Sequence, residues 1–159
     1  MNIFDKRDWK FLWQRWTRGF DDSETWVLYM PITKFILPRL KRFKEILEHT
    51  GCIPGYIMEK FKDGYKLNQF DTIADKKIRK RQEDLAQKYW INLLQQMVDV
   101  FQDIYDEEYN YDSWRDKWNK LAKQESKKQG KDIKDWQLNN EFRKEGLKTF
   151  QENFFALWW

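Results

Sequence analysis

Residues that catalysis and covalent cross-linking most often use are scarce in this sequence. The 159 residues include one cysteine, Cys52, and one histidine, His49. A single cysteine excludes an internal disulfide, which is typical of proteins from a reducing cytoplasm. One His and one Cys make no zinc site without several carboxylates, and a nucleophilic Cys–His pair needs a third group to orient it. We therefore expect no catalytic residues, no metal and no cofactor, which means a protein that is not an enzyme.

Long apolar runs and glycine-rich phosphate loops are missing as well. No uninterrupted apolar stretch approaches the roughly 20 residues that a membrane-spanning helix needs. The N-terminus has no apolar segment followed by small residues, so we expect no signal peptide. No glycine motif of the Walker or Rossmann kind occurs. These absences favour a cytoplasmic protein without a membrane partner.

One acidic run is the remaining candidate for cation chemistry. Residues 103–112 contain several carboxylates that Mg²⁺ or Ca²⁺ would accept as ligands. The run lacks the spacing of an EF-hand loop. We therefore interpret it as the solvated end of a helix.

Tryptophan is abundant instead, with ten in the chain, and aromatic residues make up 18% of the sequence. Trp9, Trp13 and Trp16 follow the spacing of one helical face, and Trp114 and Trp118 follow that of another. An indole can pack in a core or stack on a flat ligand. Because these five alternate with polar residues at helical spacing, we expect them to lie in the core.

The apolar spacing predicts an all-α fold, a compact single-domain bundle of five or six helices that spans residues 1–159. The expected helices cover residues 5–18, 23–49, 72–107, a shorter segment that carries Trp114 and Trp118, and residues 136–157. Gly19 is expected to end the first helix in a left-handed conformation. Pro31 and Pro38 predict a kinked second helix. Glycine and proline predict an irregular loop near residues 51–67, and the polar stretch 123–134 predicts a mobile loop.

Each expected helix has a line of apolar residues that should face the core. The lines advance in steps of three and four positions, as one face of a helix requires. They are Tyr29, Ile32, Ile36, Leu40, Phe43 and Leu47 in the second helix, Leu85, Tyr89, Leu93, Met97, Phe101 and Ile104 in the long helix, and Phe142, Leu147, Phe150, Phe154 and Leu157 in the last.

The charges are divided unevenly between the two halves of the chain. Residues 1–81 carry 18 Lys or Arg against 11 Asp or Glu, whereas residues 82–159 carry 12 against 15. A basic half favours an anionic partner. With nearby rings as a stacking surface, it predicts a nucleotide-binding site. The candidate ligand-binding residues are Trp26, Tyr29, Arg39, Arg42, Lys76, Arg79 and Arg81.

Other partners remain open at this point. The same basic stretches suit docking to an acidic protein surface, and nucleic acid is a weaker alternative because the acidic half repels phosphates. Residues 154–159 carry too many large apolar groups for one helix face, which predicts a homodimer.

Several segments together resemble a family of small tailed-bacteriophage proteins. They are RGFDD at residues 18–22, SETW at 23–26, FILPRLKRFKE at 35–45, EGLKTF at 145–150 and the ending ALWW. The resemblance covers about the first 50 and the last 20 residues, more weakly residues 90–101, and fails over 53–88, where this chain is longer and more basic. It implies a phage protein in the cytoplasm of an infected bacterium. It further implies action on the host, and we expect counter-defence by sequestration of an anionic nucleotide signal. The alternatives that the resemblance leaves open are binding to a host or phage protein and a structural role in the phage particle.

Overall fold

The computed structural model describes residues 6–19, 21–22, 27–61 and 73–157. This part of the chain is helical and contains no strand, which confirms the all-α prediction. The described residues form six α-helices and a 3₁₀ turn (Phe154–Leu157), in the order α1 (Lys6–Arg18), α2 (Tyr29–Thr50), α3 (Gly55–Lys60), α4 (Ile73–Tyr109), α5 (Tyr111–Gln129) and α6 (Asp135–Asn153). None of the helices described is both long and apolar enough to cross a membrane.

The long helix α4 is the centre of the bundle, and α2, α3, α5 and α6 all pack against it. Its side chains at Trp90, Leu94 and Met97 are completely buried. The contact between α4 and α6 is close because Gly146 has no side chain. A Cβ atom at Gly146 would lie 2.6 Å from Cβ of Val100, well inside van der Waals contact.

A buried carboxylate on α4 joins three helices. Oδ1 of Asp103 accepts hydrogen bonds from the indole N–H groups of Trp114 (3.0 Å) and Trp118 (2.7 Å) on α5. Oδ2 accepts from Asn139 and Arg143 on α6, each at 2.8 Å. The interpretation of residues 103–112 as a solvated helix end is therefore wrong for Asp103, which is buried and hydrogen-bonded, although Glu108 and Asp112 are exposed.

Some predicted boundaries hold and others are wrong. Gly19 has a φ of +79° and its N–H bonds back to the Arg15 carbonyl, as predicted for a left-handed helix end. The predicted loop at 123–134 is helical as far as Gln129, because Lys, Gln and Glu are good helix formers. Part of the predicted loop at 51–67 forms α3. Helix α2 begins at Tyr29 in the described chain, and the earlier start predicted for it falls on residues 23–26, outside the described residues.

The predicted core lines need correction at four places. Tyr29 and Ile32 are exposed at the start of α2, while Leu37, Leu40 and Leu47 are buried further along. In α4, Leu85 and Tyr89 are exposed, since the buried line there runs one position later, through Ala86 and Trp90. In the last predicted line, Leu147 is exposed beside the buried Gly146, and Phe154 at the start of the 3₁₀ turn is exposed as well. The largest correction concerns α1, whose predicted core face is exposed to solvent.

Candidate functional site

Two aspartates after α1 determine which side of this helix is turned inward. The Asp22 carboxylate accepts a hydrogen bond from Gln14 Nε2 (2.7 Å) and pairs with Lys10 (3.0 Å) and Arg18 (3.3 Å). The hydrogen bond from Gln14, followed by that from Lys10, lowers the pKa of Asp22 below its usual value. These partners recur every four residues, so Asp22 holds a single polar side of α1.

Asp21 holds the same end of the helix through a second ion pair. Its Oδ2 lies 2.7 Å from Nε of Arg15, and the aspartate is almost completely buried. A buried carboxylate is stable only when a cation or several donors compensate for its lost hydration. The Arg15–Asp21 pair therefore fixes α1 against residues 21–22 more firmly than surface pairs alone do.

The opposite side of α1 is a row of exposed apolar side chains, which we call the tryptophan face (Trp9, Leu12, Trp13 and Trp16). Trp9 is 60% exposed, Trp13 59% and Trp16 87%. Within the described chain, α1 packs against none of the other helices. The spacing predicted correctly that these residues share a face, but the prediction that the face lies in the core is wrong. Exposed apolar groups in such a cluster are typical of an interaction surface.

An apolar groove lies between α2 and the end of the chain, and we call it the α2–α6 groove. It has a volume of about 540 Å³. Its lining is almost entirely hydrophobic and comprises Pro31, Ile32, Phe35, Ile36, Arg39, Leu40, Phe43, Phe150, Phe154 and Leu157. Arg39 is the one charged member. Its guanidinium lies over the Phe35 ring, 3.7 Å from the centroid, and donates to the Phe35 carbonyl at 2.7 Å.

A second, polar cleft of about 660 Å³ lies where α3 meets the first turns of α4, and we call it the α3–α4 cleft. Lys76, Arg79 and Lys80 line it on one side, and a backbone segment with Gly51 and Gly55 lines the other. Arg79 is paired with Glu83 at 3.0 Å. Asp84 also lines the cleft, so its three cations and two carboxylates leave a small net positive charge. The volume is large enough for a small anion or a nucleotide.

The predicted ligand-binding residues do not form one site. Lys41 of α2 donates to Gln102 of α4, which places the nearby Arg39 and Arg42 beside that part of α4. Lys76 precedes Gln102 by 26 positions in the same helix, a distance of about 39 Å. A ligand of nucleotide size cannot bridge that distance.

The seven predicted residues are distributed over different parts of the surface. Arg39 lines the α2–α6 groove, while Lys76 and Arg79 line the α3–α4 cleft. Arg42 is exposed and pairs with Glu45 at 3.0 Å. Tyr29 and Arg81 are exposed outside both concavities, and Trp26 falls outside the described residues.

Sequence reasoning missed the tryptophan face and the groove as candidate surfaces. Helical spacing identifies the residues that share a face, and only the tertiary partners show whether that face is covered. A signal was present in the two aspartates at 21–22, which follow a helix with cations at positions 10, 15 and 18.

Among the residues described, no group of three His, Cys, Asp or Glu side chains is placed to hold a metal ion. His49 and Cys52 are both exposed near the end of α2. Comparisons with protein-family models, with curated proteins and with solved structures find no match to this chain.

Proposed function

We propose that this chain is a non-enzymatic binding protein that docks its tryptophan face onto a partner protein. The observation that supports this proposal is the outward orientation of Trp13 and Trp16 on a helix whose polar side is held by Asp21 and Asp22. Tryptophan is enriched among the few residues that dominate binding energy at interfaces. An amphipathic helix that inserts apolar anchors at i, i+3, i+4 and i+7 into a groove is a recurrent mode of recognition.

The resemblance to tailed-bacteriophage proteins suggests the setting of this activity. In the proposal, the protein acts in the cytoplasm of an infected bacterium and inhibits or redirects a host protein, with antiviral defence as the expected target. A phage protein as the partner fits the same chemistry.

Capture of the partner from infected cells tests the proposal. Tagged full-length chain is cross-linked and purified as the wild type, as Trp13→Ala with Trp16→Ala, and as Trp136→Ala. Trp136 is 60% exposed on α6, so it matches Trp13 in residue type and exposure but lies outside the tryptophan face. We expect one stoichiometric protein with the wild type and the Trp136 variant, and its loss with the double variant. Equal capture by all three chains contradicts the proposal.

A second candidate function is binding of an anionic nucleotide in the α3–α4 cleft, which would sequester a signalling molecule. It is supported by Lys76, Arg79 and Lys80, which line one concavity. None of the described residues lining that cleft is aromatic, so recognition would depend on the phosphates rather than on base stacking.

A thermal-shift panel of mononucleotides, cyclic nucleotides and ADP-ribose tests this second function. The expected result is a rise in melting temperature with one class of nucleotide. Lys76→Glu with Lys80→Glu should abolish the rise, and Arg42→Glu, far from the cleft, should not. No shift with any nucleotide at saturating concentration overturns it.

A further inference from the structure

The tryptophan face and the α2–α6 groove are complementary surfaces on the same chain. We propose that α1 of a second copy occupies the groove, and that the exchange is reciprocal, so that the resting protein is a symmetric dimer with both tryptophan faces covered. This inference rests on the proposed function and deepens it, because it states what covers the tryptophan face when the partner protein is not bound.

The dimensions of helix and groove agree. Helix α1 has 13 residues, which corresponds to a length of about 20 Å. The groove follows α2 from Pro31 to Phe43, a distance of about 18 Å at the same rise per residue. The tryptophan face itself spans about 10 Å from Trp9 to Trp16. A docked helix therefore fits within the groove and places its indoles along a little over half of the groove's length.

The chemistry of the two surfaces also agrees. Four phenylalanines line the groove: Phe35, Phe43, Phe150 and Phe154. Aromatic rings pack favourably on one another in offset or edge-to-face arrangements. The Arg39 guanidinium lies at the groove beside Phe35, where it can also contact the face of an incoming indole.

The contacts of α1 favour the groove of a second copy over the groove of its own chain. Asp21 and Asp22 hold the polar side of α1, which leaves the tryptophan face turned away from that corner. To turn the face inward, α1 would have to break the ion pair between the exposed Arg15 and the buried Asp21, together with the bonds to Asp22. Docking into a second copy keeps all of these contacts.

The surface available is sufficient for a stable dimer. The exposed parts of Trp9, Trp13 and Trp16 amount to about two whole indole side chains, or roughly 300–500 Å² on each helix. The exposed lining of each groove is smaller than the surface of the helix that would fill it. Two helices and two grooves therefore bury roughly 1,000 Å², which is the lower bound for a specific interface. A reciprocal contact of this kind closes on itself with twofold symmetry and does not propagate.

Sedimentation velocity over a concentration series tests the dimer, with two variants that remove one surface each. Trp13→Glu alters the face, and Phe35→Glu alters the groove at a side chain that is 59% exposed, so both should fold. Each substitution removes one hot spot from both contacts of the symmetric dimer, so each should raise the dimer dissociation constant by roughly 1,000-fold. Trp136→Glu should leave it unchanged.

Mixing the two variants gives the decisive result. The Phe35→Glu chain keeps an intact face and the Trp13→Glu chain keeps an intact groove, so the mixture should recover a heterodimer with one docked helix. A wild-type chain that is monomeric at every concentration overturns the inference. So does a mixture that recovers nothing when both single variants are folded by circular dichroism.

The same variants separate this inference from the proposed function. Phe35→Glu should abolish the dimer yet increase capture of the partner protein, because the tryptophan face becomes accessible. Loss of partner capture with an intact, concentration-dependent dimer contradicts the proposed function alone. A monomeric wild type that still captures its partner through Trp13 contradicts the dimer alone.

Discussion

The indole N–H of Trp118 donates to Oδ1 of Asp103 at 2.7 Å, and both side chains are buried. The same carboxylate also accepts from Asn139 and Arg143, so one charged group on α4 fixes both α5 and α6. This network determines how the three helices meet. It also removes the first residue of the acidic run from any role in binding a cation.

Asp103→Ala should destabilise the bundle by about 3–5 kcal/mol, because it leaves buried indole, amide and guanidinium donors without an acceptor. Urea unfolding followed by circular dichroism measures the loss. Asp99→Ala is the matched control on the same helix, since Asp99 is exposed and accepts a hydrogen bond from Gln95, a neighbour on the surface of α4. A loss at Asp103 no larger than that at Asp99 contradicts a structural role for the network.

Gly146→Ala should destabilise the protein by about 1–3 kcal/mol, although Ala is the better helix former. The added Cβ would overlap Val100, 2.6 Å away. Val100→Ala in the same chain should recover part of the loss, and the double-mutant cycle measures the coupling. Gly55→Ala is the control, because a Cβ there meets no atom within 4 Å.

Acid should weaken the contacts between α1 and the Asp22 carboxylate. The pKa of Asp22 is lowered in the folded protein from 3.8, so its contribution is complete above that value and is lost as the pH falls through the lower, folded pKa. Amide hydrogen exchange of α1 between pH 7 and pH 2 should report this loss. Asp22→Asn should give faster exchange in α1 at neutral pH and little further change from this site on acidification. Unchanged protection of α1 in this variant contradicts the role assigned to the aspartate.

Trp13→Ser with Trp16→Ser should change the free energy of unfolding by no more than about 0.5 kcal/mol, as expected for exposed positions. The measurement is made in the Phe35→Glu background, which removes the contribution of the dimer. Trp90→Ala, at a completely buried indole, should cost about 3–5 kcal/mol in the same background. Equal losses of unfolding free energy from the two changes would indicate that Trp13 and Trp16 are buried, which contradicts the exposed position of the tryptophan face.

The sequence allowed the helices to be predicted but not the partners of their faces. Gly19, Gly51 and Gly130 all have positive φ at the end of a helix, and a glycine there is a local signal that spacing and composition reveal. The side of α1 that faces inward depends on the contacts of Asp21 and Asp22. The two aspartates are visible in the sequence, but only the structure shows which side chains of α1 they contact. Helical spacing does not distinguish a buried line of residues from a line shifted by one position along the helix. The spacing therefore predicts Leu85 and Tyr89 in the core, where the structure has Ala86 and Trp90.

The candidate sites could not be predicted for the same reason, since each depends on which helices lie next to each other. From the sequence alone, basic residues near positions 39 and 76 can lie side by side, because the register of α2 against α4 is unknown. The Lys41–Gln102 contact fixes that register and separates the two groups along α4. The groove combines the first half of α2 with the last turns of the chain, and a contact over such a sequence separation has no local signal.

Oxidative footprinting of the individual tryptophans tests most directly whether the tryptophan face is an outward binding surface. In monomeric Phe35→Glu protein, Trp13 and Trp16 should be oxidised at rates close to that of the exposed Trp136 and far above that of the buried Trp90. If the wild type forms the proposed dimer, both should be protected while Trp136 stays reactive. Rates at Trp13 and Trp16 as low as that of Trp90 in the monomer would place the face inside the protein and contradict the account.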